Sequence, residues 1–406
     1  MQIKQSNIVV GFSVYLIAAM LLIFAAAPLQ SQYGLWGLIL TEIIILACAL
    51  IPALLLGNNL KSLFVCKVPT IRQVLGVLLL WGGIMPIVYF VTMLTMNLFP
   101  EEMGEVSQSL STFFTSAPLP LALFAVAIMP AFCEEALFRG FLQSMFGKIR
   151  RQWVVVILTA VLFGIFHLDI YRFIPTTILG IALGYIMAET GNFLLPVLLH
   201  FMNNTWSTVL TFLSNSSAQS APVQVNRIPL FMLAVILVVC AISPWLIMAG
   251  RDRLKSADQV IDPKVYRRQK GAVIGISVLC LFSGLGLAAV SSSDLQQKET
   301  VLDMRFTANP TKEMQSNTHQ ILIEQNGYFN LEYSVKKATD KQGSTSILLQ
   351  DAENKILFEI TGGDLFGNTP LTLSAGTYTL TFMYQYDWQG NPKVDLHFAI
   401  TRLSSK

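Results

Sequence analysis

Two adjacent glutamates, an arginine and two histidines sit in stretches that are otherwise apolar. Glu134-Glu135-Ala-Leu-Phe-Arg139 is the first set, His167 follows Phe163-Gly-Ile-Phe, and His200 follows Leu198-Leu199 and precedes Asn204 by four residues. The chain has only four histidines, so two in apolar runs is a concentration that asks for a reason. An ionisable side chain in a membrane helix costs roughly 2.5–3.5 kcal/mol on insertion scales, which makes these positions the informative ones. A carboxylate in a partly dry site can serve as a general base near neutral pH, and beside an imidazole it can take a proton from water. A second histidine and an asparagine are donors suited to a developing oxyanion. Together these groups make a water-activating hydrolase. Two His and one Glu also form a catalytic zinc set, and spacing alone does not separate the two chemistries.

Each residue also has a plain structural reading. Glu135 and Arg139 are four apart, share a helix face and can pair, holding the second carboxylate charged and fixed while Glu134 points about 100° away. A lone intramembrane histidine, or the His200–Asn204 pair, serves as interhelical glue elsewhere. Glu42 reads as an interfacial residue or ion-pair partner near the outer end of its span, and Asp169 as a helix end.

The composition says what must position these groups. The 406 residues are 53% hydrophobic and only 13% charged, with a mean hydropathy of +0.58, whereas soluble domains carry about 25% charged residues. Most of the chain therefore belongs in lipid. The net charge of +3, without a basic stripe, excludes a nucleic-acid partner. The five cysteines show neither a disulfide framework nor zinc-knuckle spacing. Nine apolar stretches read as spans: 8–28, 34–56, 73–98, 118–146, 153–170, 173–190, 192–213, 228–249 and 271–291. The first is long for a signal-peptide core and reads as a retained helix.

With the N-terminus in the cytoplasm, inside loops hold Lys61, Lys67 and Arg72; Lys148, Arg150 and Arg151; and Arg251, Arg253, Lys255, Lys264, Arg267, Arg268 and Lys270. Outside loops hold only Arg172 and Arg227, and the loop after the third span is acidic, with Glu101, Glu102 and Glu105. This is the positive-inside pattern of a cell-membrane protein. Measured from the cytoplasmic ends of their spans, Glu134 lies about 18 Å deep, His167 about 21 Å, His200 about 12 Å and Asn204 about 18 Å. Three helices can thus offer a carboxylate, two imidazoles and an amide at one level.

Nine spans put the C-terminus outside, and from about residue 300 the pattern changes. Tyr378, Leu380, Phe382 and Tyr384 alternate with Thr377, Thr379 and Thr381, the period of two of a half-buried strand. Similar runs occur at 328–335, 346–349, 355–360 and 394–401, separated by Asn326-Gly327, Gly362-Gly363 and Gly390-Asn391-Pro392. The expected architecture is a polytopic α-helical membrane region over 1–291 and an extracytoplasmic all-β sandwich over 300–406.

The three polar sets, in this order, resemble the E-E-x-x-x-R, F-x-x-x-H and H-x-x-x-N motifs of the CAAX prenyl endopeptidase and bacteriocin-processing family, also called Abi or CPBP. The resemblance spans roughly 73–213; each motif is weak alone, and three in order on apolar helices are strong. It implies an intramembrane protease. By that likeness Glu134 and His167 activate water, His200 and Asn204 stabilise the oxyanion, and Glu135 and Arg139 orient the site, with Glu135 a candidate to share the catalysis. The likeness favours catalysis with no cofactor; a divalent metal such as zinc is the alternative, on Glu134, His167 and His200. The partners it implies are the lipid bilayer and a membrane-associated peptide or protein substrate, with an envelope component as the candidate ligand of the β domain. Two readings compete: a non-proteolytic bacteriocin-immunity or envelope scaffold protein that binds through the β domain, and a proton-coupled transporter, against which the absence of paired, interrupted halves in the sequence counts.

Overall fold

The computed structural model describes residues 7–217, 228–255, 262–296, 299–308, 315–337, 343–362, 365–386 and 394–403. The chain forms two units, Met1–Ala288 and Ala289–Lys406, each with its own apolar core. The Gly390-Asn391-Pro392 turn, Gly363 and Arg227 lie outside the described residues.

In chain order the helices are α1 (Ile8–Tyr33), α2 (Leu35–Leu55), α3 (Ile71–Leu98), α4 (Pro100–Thr115), α5 (Leu119–Lys148), α6 (Gln152–Phe166), α7 (Phe173–Thr190), α8 (Leu194–Ser217), α9 (Leu230–Leu254) and α10 (Pro263–Gln296). All nine stretches expected as spans are helical, but among the described residues only seven helices are long and apolar enough to cross a membrane. The other two are α6 and α8. With 15 residues, α6 reaches about 22 Å, short of the roughly 30 Å of a hydrocarbon core, because the chain turns at His167. α8 has the length but is diluted by His200, Asn203, Asn204, Thr205 and Ser207. The two helices that miss the threshold both carry candidate site residues.

The segment read as an acidic outer loop is instead helix α4. Pro100 opens it, Glu101 and Glu102 occupy its first turn, where carboxylates favour the helix dipole, and Met103 and Gly104 are buried. Outward faces of the long helices are apolar and bare: Leu55 is 83% exposed, with Phe24, Val9 and Phe282 similar. Patches of that size need a lipid solvent.

Two local devices place α8. Gly191, at φ 55°, ends α7 in the left-handed conformation that favours glycine at this position. Buried Asn192 then clamps the α2–α3 connection: its side chain accepts from the Lys67 backbone N–H at 3.2 Å and donates to the Lys67 carbonyl at 2.9 Å. The start of α8 is thereby tied to a segment more than a hundred residues upstream.

The second unit is a sandwich of two four-stranded sheets, ordered β1-β8-β3-β6 and β2-β7-β4-β5, with every pairing antiparallel. The strands are β1 (Glu299–Ala308), β2 (Gln315–Ile323), β3 (Gly327–Lys337), β4 (Gly343–Gln350), β5 (Ile356–Gly362), β6 (Leu365–Leu373), β7 (Gly376–Tyr386) and β8 (Val394–Leu403). The alternation expected of β7 holds: Tyr378, Leu380, Phe382 and Tyr384 are buried. Phe382 meets Phe398 of the other sheet edge-on at 5.6 Å. Strands β1, β2 and β6 had no clear alternation in the sequence and emerge through their partners.

Candidate functional site

The Glu134–Arg139 segment lies where α5 is irregular. Its central turns, Met129–Glu135, are flanked by wide π-type turns at Leu123–Ile128 and Ala136–Leu142. Such insertions cluster at functional sites because they re-aim side chains without breaking the helix. Glu135 and Arg139 are both fully buried and paired at 3.0 Å. The Arg139 guanidinium also donates to the Gly180 carbonyl of α7 at 3.0 Å and lies 4.5 Å from the centre of the Phe163 ring. Gly180 is needed for this approach: a Cβ there would meet the Ala160 backbone of α6 at 3.0 Å.

His200 joins this pair from α8. Its Nδ1 is 2.9 Å from Glu135 Oε1, the oxygen that Arg139 also holds. An ion-paired carboxylate only accepts, so Nδ1 carries the proton and donates. The other ring nitrogen, Nε2, is then 3.9 Å from Glu134 Oε2, within ion-pair reach but beyond a direct hydrogen bond.

His167 caps the C-terminal end of α6, directly after Phe166. Its Nδ1 lies 2.9 Å from the Phe163 carbonyl. A carbonyl has no proton to give, so Nδ1 is the donor and, in the neutral ring, Nε2 keeps its lone pair. The backbone turns sharply here: Leu168 has φ 53°, a conformation that costs a residue with a Cβ about 1–2 kcal/mol. Asp169 then accepts from the Tyr171 and Arg172 backbone N–H groups at 2.9 and 3.2 Å, which starts α7. Asp169, read from the sequence as a helix end, stands in the turn just past the end of α6.

Glu134 and His167 line one cavity of about 280 Å³, together with Glu42, Thr41, Phe166 and Arg172. At about 30 Å³ per water, it holds several. Asn204 is directed elsewhere. Its amide donates to the Val126 carbonyl in the π-type turn of α5 at 2.9 Å, and its oxygen accepts from Asn203 at 3.1 Å. The structure therefore joins Glu135, Arg139 and His200 in one hydrogen-bonded group with Glu134 3.9 Å from His200, and places His167 on the cavity that Glu134 also lines, while Asn204 ties α8 to α5.

Two further residues, Glu42 and Arg172, line this cavity, which the sequence did not indicate. Glu42 is 2% exposed, on α2, and its Oε2 has no hydrogen-bond partner among the described residues. It interacts electrostatically with Glu134. Arg172, counted as an outside-loop charge, lines the cavity and interacts electrostatically with Asp169 and Glu134. The cost of a buried charge had marked Glu42, but its position near a span end concealed that α2 packs directly on the Glu134 segment.

Among the described residues no three His, Cys, Asp or Glu side chains converge as a ligand set. Glu134, His167 and His200 are not such a set there, and the bond to Glu135 engages His200 through Nδ1 alone.

Comparison with known proteins matches residues 116–206 to the family model for type II CAAX prenyl endopeptidases, Rce1-like. The match is shorter than the expected 73–213, yet it contains every motif residue from Glu134 to Asn204. The chain is also 27% identical over 165 residues to the uncharacterised protein YpbD of Bacillus subtilis (strain 168), covering 40% of this chain and 82% of that protein. The resemblance read from the motifs holds over the matched segment. A match to an endopeptidase family supports a peptide hydrolase within a multi-pass membrane protein.

Proposed function

We propose that this chain is an intramembrane endopeptidase of the CAAX/CPBP kind, which cleaves a membrane-associated peptide or protein with water activated by Glu134 and His167. The observation that carries this reading is the shared buried cavity of Glu134 and His167 beside the Arg139–Glu135–His200 chain. A water in that cavity gives a proton to Glu134 while the lone pair of His167 Nε2 orients it. The hydroxide adds to the scissile carbonyl carbon, and the carbonyl oxygen becomes an oxyanion. His200 acts in this step as an imidazolium: Nδ1–H stays on Glu135 and Nε2–H donates to that oxyanion. Such an oxyanion donor contributes about 2.7–4 kcal/mol. The carbon–nitrogen bond then breaks, the departing nitrogen takes up one proton, equivalent to the one water gave to Glu134, and a carboxylic acid and an amine leave. Glu135 and Arg139 hold His200 in register. The step is written here with protein groups alone.

The test is cleavage of quenched peptides anchored in proteoliposomes, with prenylated and plain acyl-anchored versions run in parallel. The wild-type protein should release a defined fragment by mass spectrometry, and Glu134→Gln should abolish release while melting at the same temperature. Normal cleavage by Glu134→Gln would end this assignment.

A further inference from the structure

We propose that Glu42 is the proton donor to the leaving amine in the hydrolysis assigned to this cavity, an inference that rests on that assignment. Three observations support it. First, Glu42 comes from α2, outside all three motifs and outside the matched segment 116–206, yet it lines the same cavity wall as Glu134 and His167. Second, the side chain is buried to 2% exposure, and Oε2 has no partner among the described residues. A buried carboxyl group that is merely structural is normally hydrogen-bonded. Here Oε2 is left without a partner among the described residues, on a residue that lines the cavity.

Third, the charges around it are already matched. Arg139 is committed to Glu135, and Arg172 serves both Asp169 and Glu134. Glu42 has no cation of its own, and an isolated ionised carboxylate in apolar surroundings neutralises. A proton is the remaining counter-charge, so the cavity presents two carboxyl groups with different duties, one accepting and one donating. Environments that separate two carboxyl groups in this way define acid and base roles.

The step balances. Glu134 takes one proton from water as hydroxide adds to the carbonyl carbon. The oxyanion collapses, the C–N bond breaks, and Glu42 passes its proton to the departing nitrogen. The proton held by Glu134 then returns to Glu42, which restores the starting state with one peptide bond and one water converted to an acid and an amine.

An ester substrate separates this role from a structural one, because an alkoxide leaves far more readily than an amide anion and needs little help from an acid. The probe is the anchored quenched peptide cleaved by the wild-type protein, beside its counterpart with the scissile amide replaced by an ester. In full-length protein, Glu42→Gln should lower amide cleavage by at least about 100-fold, the scale of general acid catalysis, and leave ester cleavage within a few-fold. Glu42→Asp should recover part of the amide rate. Glu134→Gln should abolish both. Amide cleavage unchanged in Glu42→Gln, or amide and ester rates falling together, would overturn the role of Glu42 and leave the protease reading standing. If the wild-type protein cleaves neither probe, the protease reading fails and this inference with it.

Discussion

Glu135 Oε1 accepts two charge-assisted hydrogen bonds, from Arg139 at 3.0 Å and from His200 Nδ1 at 2.9 Å. One oxygen therefore joins α5 to α8 and fixes which nitrogen of His200 faces Glu134. Both members of the ion pair are fully buried, and that makes its energetics asymmetric. Removing Arg139 alone, as Arg139→Ala, strands a buried carboxylate and should cost about 3–5 kcal/mol, read as a lowered Tm in detergent. The double variant Glu135→Leu/Arg139→Met should regain most of the lost stability and none of the activity. Activity recovered along with stability would show that the pair has no part in holding His200.

The contact between α6 and α7 is set by Gly180. A Cβ at this position would itself lie 3.0 Å from the Ala160 backbone. Gly180→Val adds two methyls beyond that Cβ, and such overpacking costs about 1–3 kcal/mol. It should also move the Gly180 carbonyl away from Arg139. The expected outcome is a lower Tm with a larger proportional loss of cleavage; a variant of unchanged activity would show that this carbonyl is dispensable.

Leu168 holds its left-handed conformation directly after His167. Leu168→Gly relieves the Cβ clash, and Leu168→Val worsens it because a branched side chain tolerates positive φ poorly. The two variants should change stability in opposite directions, by about 1 kcal/mol each, read as opposite shifts in Tm. Shifts of the same sign would locate the effect in packing rather than backbone strain.

Metal dependence follows from how the donors are used. With no three-residue ligand set among the described residues, incubation with EDTA or 1,10-phenanthroline and dialysis should leave cleavage intact. Loss of activity that zinc alone restores would overturn the metal-free step.

The extracytoplasmic position proposed for the β unit depends on the Lys and Arg bias of the loops. In a variant without native cysteines, a membrane-impermeant maleimide should label Lys355→Cys in intact cells and label Lys148→Cys only after lysis. The reverse pattern would invert the topology.

The sequence by itself determined the membrane class, the helical segments, the alternation of β7 and the group Glu134, Glu135, Arg139, His167, His200 and Asn204. Those follow from local rules: an apolar run long enough for lipid, a period of two, and the cost of burying charge. Tertiary structure decided what each polar group touches. No spacing rule indicates that His200 would bond Glu135 rather than face Glu134 squarely, because that depends on the Asn192 clamp and the π-type turns that set the rotation of α8 against α5. Nor does any local pattern place Glu42 and Arg172 in the cavity. They arrive on α2 and the α6–α7 turn, and long-range packing alone brings those elements against the Glu134 segment.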